Sequence, residues 1–351
     1  MANKNPICIG AGLVTLDVVI NGRRTDSPRA WAGGSCGNVL TILSYLGWKT
    51  IPLARTGNDE ARKRLLKDMR KYKVDTSFVL RDNAIATPII VERITKRNGI
   101  RRHRFEWRCP DCGVWLPRFR PLTIQQTEKM AAKLPKPQVF YFDRIAPSII
   151  RLANRFKQMG ALIVFEPSGI GDPRHFKECL LIADIVKYSN ERLGHAHEFL
   201  CDELIPLELE TLGSDGLRIC DRRHKKKANW VLVDAYSVGE VKDTAGAGDW
   251  CTAGIIHLLG SMGRKTFEKA NNKDIKQAIA FGQALAALKC KYECPRGVMY
   301  EVTKDNFIKM VEQILVEKSV QESTCTEQKT AKNISLELIC PDCCSKSHAS
   351  K

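Results

Sequence analysis

Long apolar segments are missing from this sequence of 351 residues, of which 44% are hydrophobic and 27% are charged. No apolar run approaches the ~20 residues that a membrane-spanning helix requires. The apolar stretch at residues 7–20 contains Asp17 and has no cleavage-type ending. We therefore expect a cytoplasmic protein without membrane contact, long enough for one large α/β domain with appendages.

Acidic residues are scarce relative to basic ones. The chain has 39 Asp and Glu against 56 Lys and Arg, which gives a formal net charge of +17. Such a charge can indicate nucleic-acid binding. However, the basic residues are spread along the chain, with local concentrations at 93–108 and 222–227, and no nucleic-acid-binding motif accompanies them. A solvated basic surface is favoured, and nucleic acid is not the expected partner.

Two phosphate-binding fingerprints are also absent. No Gly-x-x-x-x-Gly-Lys-Ser/Thr segment occurs, which excludes a P-loop kinase. The spacing Gly10-x-Gly12-x-x-Thr15 nearly forms a dinucleotide fingerprint, but its last position is not glycine and no helix-forming pattern follows. A nicotinamide-dependent enzyme is therefore only weakly supported.

Cysteine, by contrast, is abundant, with 14 residues. In a large intracellular enzyme such cysteines are more often free thiols or metal ligands than disulfides. The turn Cys109-Pro110-Asp111-Cys112-Gly113 has the spacing of a zinc knuckle, and Cys340-Pro341-Asp342-Cys343-Cys344 repeats it near the C-terminus. We expect one structural Zn²⁺ held by four thiolates, within one chain or between two. The expected ligands are Cys109, Cys112, Cys340 and Cys343. A disordered tail with unrelated cysteines is the alternative.

The segment from Lys242 to Trp250, with the sequence KDTAGAGDW, is the most informative stretch. Its small residues Gly246, Ala247 and Gly248 permit a tight turn, and the periodic apolar run that follows predicts a helix. Asp249 then lies at a helix N-terminus, where unpaired N–H groups and the helix dipole favour an anion such as a phosphoryl group. A carboxylate there can take the proton from an attacking hydroxyl. A Gly-rich turn with an acidic cap is the alternative.

Residues 243–249 resemble the second signature of the ribokinase-like (phosphofructokinase B, PfkB) family of carbohydrate kinases, and other segments agree in the same order. The resemblance implies an α/β fold, the ribokinase-like three-layer α/β/α sandwich with a mostly parallel central sheet and a small β-lid. It also implies that Asp249 is the catalytic base. The amides of Gly246, Ala247, Gly248 and Asp249 would form the anion hole.

Two N-terminal segments are similar to the substrate-binding elements of that family. Residues 12–17 resemble the first strand, which delivers an aspartate to the sugar, and residues 32–38 resemble the first signature. In the family the glycine pair of that signature permits close approach of the substrate and a hinge for the lid, while the asparagine contacts the substrate. The resemblance assigns these roles to Asp17, Gly33, Gly34 and Asn38. Asp17 as a strand-end turn residue and Asn38 as a helix cap are the plain alternatives.

Residues 87–108 have the pattern of a β-hairpin, with Asn98-Gly99 as the turn. By resemblance, the lid would comprise about residues 13–35 and 87–120, including the first cysteine turn, and would allow a homodimer. The second strand carries several arginines, among them Arg102 and Arg104. Because arginine binds phosphate through paired donors, they hint at an anionic substrate such as a sugar phosphate. A charged edge that prevents sheet-to-sheet pairing is equally favoured.

The middle of the chain alternates strand and helix, which is typical of a mostly parallel sheet covered on both faces. Residues 187–191 resemble the family's Asn-x-x-Glu segment, which organises magnesium and phosphate. The match is imperfect because Leu193 occupies the glutamate position. Asn190 and Glu191 are therefore the nearest candidates for Mg²⁺, and either could equally cap a helix.

The nucleotide and potassium sites are likewise implied by resemblance. Residues 208–216 match the strand-turn-strand that lies along the nucleotide, although a simple hairpin turn is the alternative. The candidate ATP contacts are Thr211, Gly213, Gly216 and Thr244. In relatives the loop that contains Gly297 approaches the adenine and a monovalent cation that the first aspartate of the central motif, here Asp243, also touches. The resemblance thus implies activation by K⁺.

The sequence predicts a kinase domain at residues 1–318 and a polar linker with a cysteine-containing tail at 319–351. The expected reaction is Mg²⁺-dependent transfer of the γ-phosphate of ATP to a hydroxyl of a sugar or sugar phosphate. One alternative is a nucleoside kinase of the same fold. The other is a catalytically weak scaffold that acts as a zinc-containing regulatory or nucleic-acid-associated protein.

Overall fold

The structure is a computed structural model that describes residues 5–21, 28–97, 100–193, 205–224, 228–320, 335 and 338–349. Only the backbone is described at residues 21, 96–97, 100–103 and 346–349. The predicted Asn98-Gly99 turn, the side chain of Arg102 and most of the predicted linker lie outside this description.

The described strands are β1 (Ile7–Ala11), β2 (Thr15–Asn21), β3 (Arg29–Gly33), β4 (Lys49–Thr56), β5 (Val79–Arg81), β6 (Ile89–Arg97), β7 (Ile100–Glu106), β8 (Val139–Phe142), β9 (Leu162–Phe165), β10 (Ile185–Ser189), β11 (Leu207–Thr211), β12 (Leu217–Asp221), β13 (Val231–Val233), β14 (Ser237–Val238) and β15 (Ser319–Val320). The helices are α1 (Ser35–Tyr45), α2 (Glu60–Lys71), α3 (Ile124–Ala131), α4 (Pro147–Gln158), α5 (Pro173–Ile182), α6 (Asn190–Leu193), α7 (Ala247–Leu259), α8 (Arg264–Lys269), α9 (Asn272–Lys289), α10 (Gly297–Glu301), α11 (Lys304–Glu317) and α12 (Pro341–Ala349).

Nine of the described strands form the central sheet, in the order β13-β12-β11-β10-β9-β8-β1-β4-β5. From β11 to β5 every neighbouring pair is parallel, and β12 and β13 add an antiparallel edge. Parallel strands covered on both faces are apolar along their whole length, and β8 and β9 are buried at every position. The sheet thus has the mostly parallel order that the sequence predicts.

Helices cover both faces of this sheet. Along β8, Val139 and Tyr141 belong to one buried cluster, whereas Phe140 and Phe142 belong to the other. The first cluster includes the apolar faces of α1, α2, α7, α9 and α11, and the second includes those of α3, α4 and α5. This arrangement confirms the expected three-layer α/β/α fold.

Four other described strands form a separate sheet, which we call the lid sheet, in the order β3-β2-β6-β7. Strand β2 is antiparallel to β3 and parallel to β6, and β6 is antiparallel to β7. Because side chains alternate between the faces of a strand, Asp17 points to the face opposite that of Leu16 and Val18. Both of these apolar residues are buried in the core.

Helices α7 and α9 cross at two glycines. A Cβ atom at Gly254 would lie 2.7 Å from the Cα atom of Gly282, and one at Gly282 would lie 2.7 Å from the carbonyl oxygen of Cys251. The absence of side chains therefore lets the two backbones approach closely. The N-terminal end of α9 is fixed by a reciprocal capping box between Asn271 and Asp274.

The C-terminal tail ends in α12, which follows the buried residues Ile339 and Cys340. Both residues belong to the same buried cluster as Cys109 and Leu116, which follow β7. Among the described residues, no helix has both the length and the apolar character needed to cross a membrane.

Candidate active site

The candidate site lies where the parallel strands end. Gly12 follows β1, Asp143 follows β8, Glu166 follows β9 and Asn190 follows β10. Because the carboxyl ends of parallel strands share one edge of a sheet, these residues lie along that edge. The N-terminus of α7 reaches the same edge, since Thr252 of α7 donates a hydrogen bond of 2.7 Å to Glu166.

The N-terminus of α7 is shaped by Gly246. Its φ of 81° is left-handed, and a Cβ atom there would lie 2.7 Å from the Cα atom of Pro295, so only glycine fits without strain. Within the described part of the chain, no side chain caps this end of the helix. The amides of Gly248 and Asp249 lie in the first turn, where an α-helix has no internal acceptor for them. Ala247 differs, because its amide donates to the carbonyl oxygen of Thr244 at 3.1 Å.

Asp249 is half-buried in this first turn and accepts a hydrogen bond of 2.8 Å from Nδ2 of Asn38. Burial and the negative charge of Glu166 raise the pKa of Asp249 to about 7, against the lowering effect of Asn38, Lys187 and Arg192. The carboxyl group is therefore poised to exchange a proton near neutral pH.

Asn38 also presents an unused acceptor. Its Oδ1 atom is buried and has no hydrogen-bond partner in the described part of the chain. A buried acceptor without a partner is costly unless a ligand or water donates to it. The Nδ2 atom of the same amide group donates a hydrogen bond to Asp249. A ligand that donates to Oδ1 would therefore lie close to the candidate base.

Lys187 and Glu166 form an ion pair of 2.6 Å beside the N-terminus of α7. A Cβ atom at Gly248 would lie 3.6 Å from the ammonium group of Lys187. Tyr141 and Thr252 donate to the second oxygen of Glu166, at 3.1 and 2.7 Å. The sequence analysis assigned neither member of the pair a role. The available signal was a charged residue within or directly after an apolar strand.

Asp17 lies on the lid sheet, and its carboxylate accepts a hydrogen bond of 2.5 Å from the hydroxyl group of Thr15. Burial is the main reason that the pKa of Asp17 is raised to about 6, although the bond from Thr15 lowers it. A Cβ atom at Gly33 would overlap this carboxylate, and one at Gly34, whose φ is 78°, would overlap the carbonyl of Leu13. The glycine pair is therefore required by the packing of Gly33 against Asp17 and of Gly34 against Leu13.

The beginning of α1 links Asp17 to Asp249. The amide of Gly34 donates to Asp17 at 3.4 Å, and the amide of Asn38 donates to the carbonyl oxygen of Gly34 at 2.8 Å. Because the side chain of Asn38 also donates to Asp249, the two predicted substrate-facing residues and the candidate base form one connected group.

Asp143 is a further residue that the sequence analysis missed. Its buried carboxylate accepts hydrogen bonds from the amides of Leu13 at 2.8 Å and Cys36 at 3.2 Å. These bonds fix the turn from β1 to β2 and the first turn of α1, and hence the positions of Asp17 and Asn38. Its position directly after the apolar strand β8 was the available signal.

The predicted magnesium candidates begin α6. Nδ2 of Asn190 donates to Glu210 at 2.7 Å, which leaves the amide oxygen of Asn190 as the atom for a metal or its water. Glu191 is exposed on the same helix. Carboxylate and amide oxygens are donors that suit Mg²⁺, so these residues fit the ion at this end of β10.

Three of the four predicted ATP contacts, Thr211, Gly213 and Gly216, lie in the turn from β11 to β12 and at its flanks. Thr211 donates to the carbonyl oxygen of Tyr188 at 3.3 Å, which ties the end of β11 to β10. Gly213 and Gly216 have φ values of 65° and 98°. A Cβ atom at Gly216 would overlap the carbonyl of Val233, so this glycine is also required by close packing against β13.

Asp243 is completely buried and pairs with the ammonium group of Lys289 at 3.3 Å. The same ammonium group donates to the carbonyl oxygen of Asp243 at 2.6 Å. Thr244 is exposed, and Gly297 is buried at the start of α10, where a Cβ atom would lie 2.9 Å from Cβ of Tyr292. The negative charge of Asp243 is thus already compensated within the protein.

The register of the lid sheet separates Arg104 from Asp17. Asp17 pairs with Ile90, and Glu92, two residues further, pairs with Phe105 on the same face. Arg104 pairs with Arg93, so it lies on the opposite face, where it is exposed. The structure therefore does not bring Arg104 together with the other predicted substrate residues.

The four predicted metal ligands come together outside the candidate active site. The sulfur atoms of Cys109, Cys112, Cys340 and Cys343 all lie within 4.8 Å of one another. The four-cysteine cluster, as we call this group, could hold a metal ion.

Comparisons with known proteins agree with the fold. The family described as pfkB family carbohydrate kinase matches residues 176–298. The ketohexokinase of Mus musculus is 24% identical over 329 residues, which span 85% of this chain and 100% of the mouse protein. The ribokinase structure of Giardia lamblia superposes with a TM-score of 0.68 at 16% identity and covers 90% of this chain and 99% of its own. A fructokinase of Xylella fastidiosa, solved with bound ATP, has a TM-score of 0.67 at 17% identity over 89% and 99% of the two chains.

Proposed function

We propose, from the membership of this chain in the pfkB family of ATP-dependent carbohydrate kinases, that it transfers the γ-phosphate of ATP to a hydroxyl of a sugar, with Asp249 as general base. The observation that carries this proposal is the half-buried Asp249 carboxyl group at the uncapped N-terminus of α7, bonded to Asn38 at 2.8 Å. Its pKa of about 7 suits a base that works near neutral pH.

In the proposed reaction the acceptor hydroxyl lies between Asp17 and Asn38 and loses its proton to Asp249. The hydroxyl oxygen forms a bond to the γ-phosphorus while the bond from that phosphorus to the β,γ-bridging oxygen breaks, and ADP leaves. Asn38 orients the carboxylate, and its free Oδ1 atom accepts a hydrogen bond from the substrate. Catalysis of this kind depends mainly on positioning and electrostatics.

The transferring phosphoryl group would be stabilised by the N-terminus of α7. We narrow the proposed donors to the amides of Gly246, Gly248 and Asp249, since the amide of Ala247 is directed at Thr244. The ammonium group of Lys187 lies beside Gly248 and adds positive charge at the same place. Mg²⁺ near Asn190 and Glu191 would neutralise charge on the β- and γ-phosphates.

The substrate class that we favour is a neutral sugar. The matched ketohexokinase and fructokinase are named for ketose substrates, and Asp17 and Asn38 offer acceptors that suit hydroxyl groups. A phosphorylated sugar loses support because Arg104 lies on the face of the lid sheet opposite Asp17. A nucleoside is the second candidate, because a nucleoside kinase of Methanocaldococcus jannaschii has the same fold.

The test is ADP release with ATP, Mg²⁺ and K⁺ across sugars, sugar phosphates and nucleosides. One compound should stimulate release, and Asp249→Asn should lower its turnover by about 10² to 10⁴. The matched control is Asp305→Asn, an equal change at an exposed position of α11, which should retain full turnover.

Equal turnover in Asp249→Asn and the native chain would refute the base assignment. If no compound stimulates ADP release, the kinase proposal itself fails. Salt-sensitive binding to nucleic acid would then favour the regulatory scaffold.

The same assay, run with K⁺ or with Na⁺, measures whether K⁺ activates the enzyme. The K⁺ proposal rests on the family resemblance around Asp243 and Gly297. Because Lys289 already compensates Asp243, we expect replacement of K⁺ by Na⁺ to change turnover only modestly.

We propose that a homodimer forms through the lid. Phe105, Trp107 and Trp115 lie in or beside β7 and are 45%, 46% and 51% exposed. Aromatic side chains of this kind are enriched in protein interfaces. Sedimentation of the native chain at micromolar concentration should show a dimer, and a monomer at every concentration would end this proposal.

A further inference from the structure

Two sulfur–sulfur distances in the four-cysteine cluster match the edges of a tetrahedral zinc site, and all the sulfur atoms lie within 4.8 Å of one another. The sulfur atoms of Cys109 and Cys343 are 3.8 Å apart, and those of Cys112 and Cys340 are 3.7 Å apart. A zinc–sulfur bond of about 2.3 Å places the corners of a tetrahedron about 3.8 Å apart. A disulfide would require about 2.05 Å, so the arrangement fits four thiolates around one ion.

The first cysteine pair has a backbone prepared for thiolates. The amides of Asp111 and Cys112 are directed at the sulfur of Cys109, and the amide of Val114 is directed at the sulfur of Cys112. The turn is closed by a hydrogen bond of 2.9 Å from the amide of Gly113 to the carbonyl of Cys109. Gly113 has a φ of 74°, which favours glycine. Hydrogen bonds to metal-bound sulfur are a usual second layer of such sites.

The second pair comes from a distant part of the same chain. Cys340 directly precedes α12, and Cys343 lies in the first turn of this helix. Cys109 and Cys340 are each only 2% exposed. The two halves therefore meet in a closed site that leaves no coordination position for a substrate, as in structural zinc sites.

We propose that Cys109, Cys112, Cys340 and Cys343 of one chain bind one structural Zn²⁺, and that this ion fastens the C-terminal tail to the lid sheet. Four thiolates at tetrahedral spacing select Zn²⁺ over Mg²⁺ or Ca²⁺, which prefer oxygen ligands. The proposal is independent of the reaction, because no step of phosphoryl transfer uses the ion.

The site is joined to the strand that carries Asp17 by a short series of backbone bonds. Leu116, just after the first cysteine pair, donates to the carbonyl of Trp107 at 2.9 Å. Ile89 at the start of β6 donates to the carbonyl of Pro117 at 3.0 Å. Ile89 in turn pairs with Leu16, the neighbour of Asp17. A metal that holds the cysteine turn therefore also supports the base of the lid sheet.

Metal content of the full chain tests the proposal. Protein purified without chelator should contain about one zinc per chain by elemental analysis, as one tetrathiolate site requires. The double variant Cys340→Ser/Cys343→Ser should lose most of it. The matched control is Cys344→Ser, which changes the adjacent cysteine outside the cluster and should retain the zinc.

A second measurement covers the case in which the double variant does not fold. The native chain is reconstituted with Co²⁺ in place of zinc, and its visible spectrum should show the intense bands of tetrahedral cobalt bound by thiolates. After chelation, hydrogen exchange should accelerate at residues 104–117 and 338–345, and added Zn²⁺ should restore protection.

Three results would overturn the proposal. They are less than about half an equivalent of zinc in the native chain, unchanged zinc in the double variant, and iron in place of zinc. Zinc that is present only in covalently or metal-linked dimers, and absent from the monomer, would overturn the assignment to one chain.

Discussion

At the scale of single residues, the proton affinity of Asp249 is set by its neighbours. Burial and the charge of Glu166 raise its pKa, whereas Asn38 and Lys187 oppose this rise. Lys187 forms an ion pair with Glu166, so its positive charge offsets the effect of Glu166 on the pKa of Asp249. The balance leaves a carboxyl group that titrates close to neutral pH.

We predict that kcat/KM for the sugar falls as the pH decreases through about 7. The sign follows from the role of the group, because only the ionised carboxylate can accept the hydroxyl proton, and protonation below the pKa removes it. Well below the pKa, the loss should approach tenfold for each pH unit. The measurement is a pH profile of kcat/KM at saturating MgATP.

The control for this profile is Asp249→Asn, whose residual rate should lack the acidic limb that titrates near pH 7. A native profile that stays level down to pH 5, with the protein still folded, would contradict the role of Asp249 as base.

At the scale of elements, the crossing of α7 and α9 determines the position of the N-terminus of α7, where we propose the anion site. The two helices touch through Gly254 and Gly282, so the direction of α7 depends on residues in the middle of both helices. Asp249 and its neighbouring amides are one to two turns from this crossing. A shift of α7 would therefore move Asp249, the proposed base, relative to Asn38.

We predict that Gly254→Ala lowers the free energy of unfolding despite the better helix propensity of alanine. Propensity favours alanine by up to about 1 kcal/mol, whereas overpacking a close contact costs about 1–3 kcal/mol. The added Cβ atom would meet the Gly282 backbone at 2.7 Å, so overpacking should win. Urea unfolding measures the difference.

Gly239→Ala is the control for the crossing, since an added Cβ atom there has its nearest contact at 3.8 Å, to the end of the Lys291 side chain. Equal stability of Gly254→Ala and the native chain would show that α7 and α9 can separate without cost.

At the scale of the whole molecule, the lid sheet is supported from two directions. Buried Arg296, before α10, pairs with Asp68 of α2 at 2.7 Å, and the same carboxylate accepts the amide of Ala32 in β3 at 2.9 Å. The four-cysteine cluster ties the other side of the lid to the tail. Asp17, which we propose contacts the sugar, lies on β2 between these two supports.

We predict that removal of zinc raises KM for the sugar more than KM for ATP. Asp17 belongs to the lid sheet, whereas the candidate nucleotide residues lie at the end of the central sheet and just before α7. A displacement near 1 Å at a substrate contact can cost about 10²-fold in kcat/KM. Steady-state kinetics before and after chelation measure both constants.

Restoring Zn²⁺ should restore the KM for the sugar, and Cys344→Ser should behave as the native chain does. Equal changes in both KM values would indicate general loss of structure instead. This result would leave both the metal site and the kinase activity standing, since each has its own assay.

Local pattern was enough to predict much of this protein. The alternation of apolar strands and helices predicts the three-layer fold, because parallel strands must be covered on both faces. The small residues before Asp249 and the periodic apolar run after it predict a helix N-terminus, where the first amides have no internal acceptor. The two Cys-Pro-Asp-Cys turns predict a shared metal site, because each turn supplies half of a tetrahedron.

Other features were decided only by tertiary structure. The pairing of Glu166 with Lys187 and the anchoring of two loops by Asp143 join residues far apart in the chain. The register of β6 and β7 places Arg104 on the face of the lid sheet that does not carry Asp17. A shift of this register by one residue would have placed both side chains on the same face. Sequence determines which residues can donate, accept or bend. Register and long-range packing decide which of them meet, because both depend on the burial of whole faces and not on any local pattern.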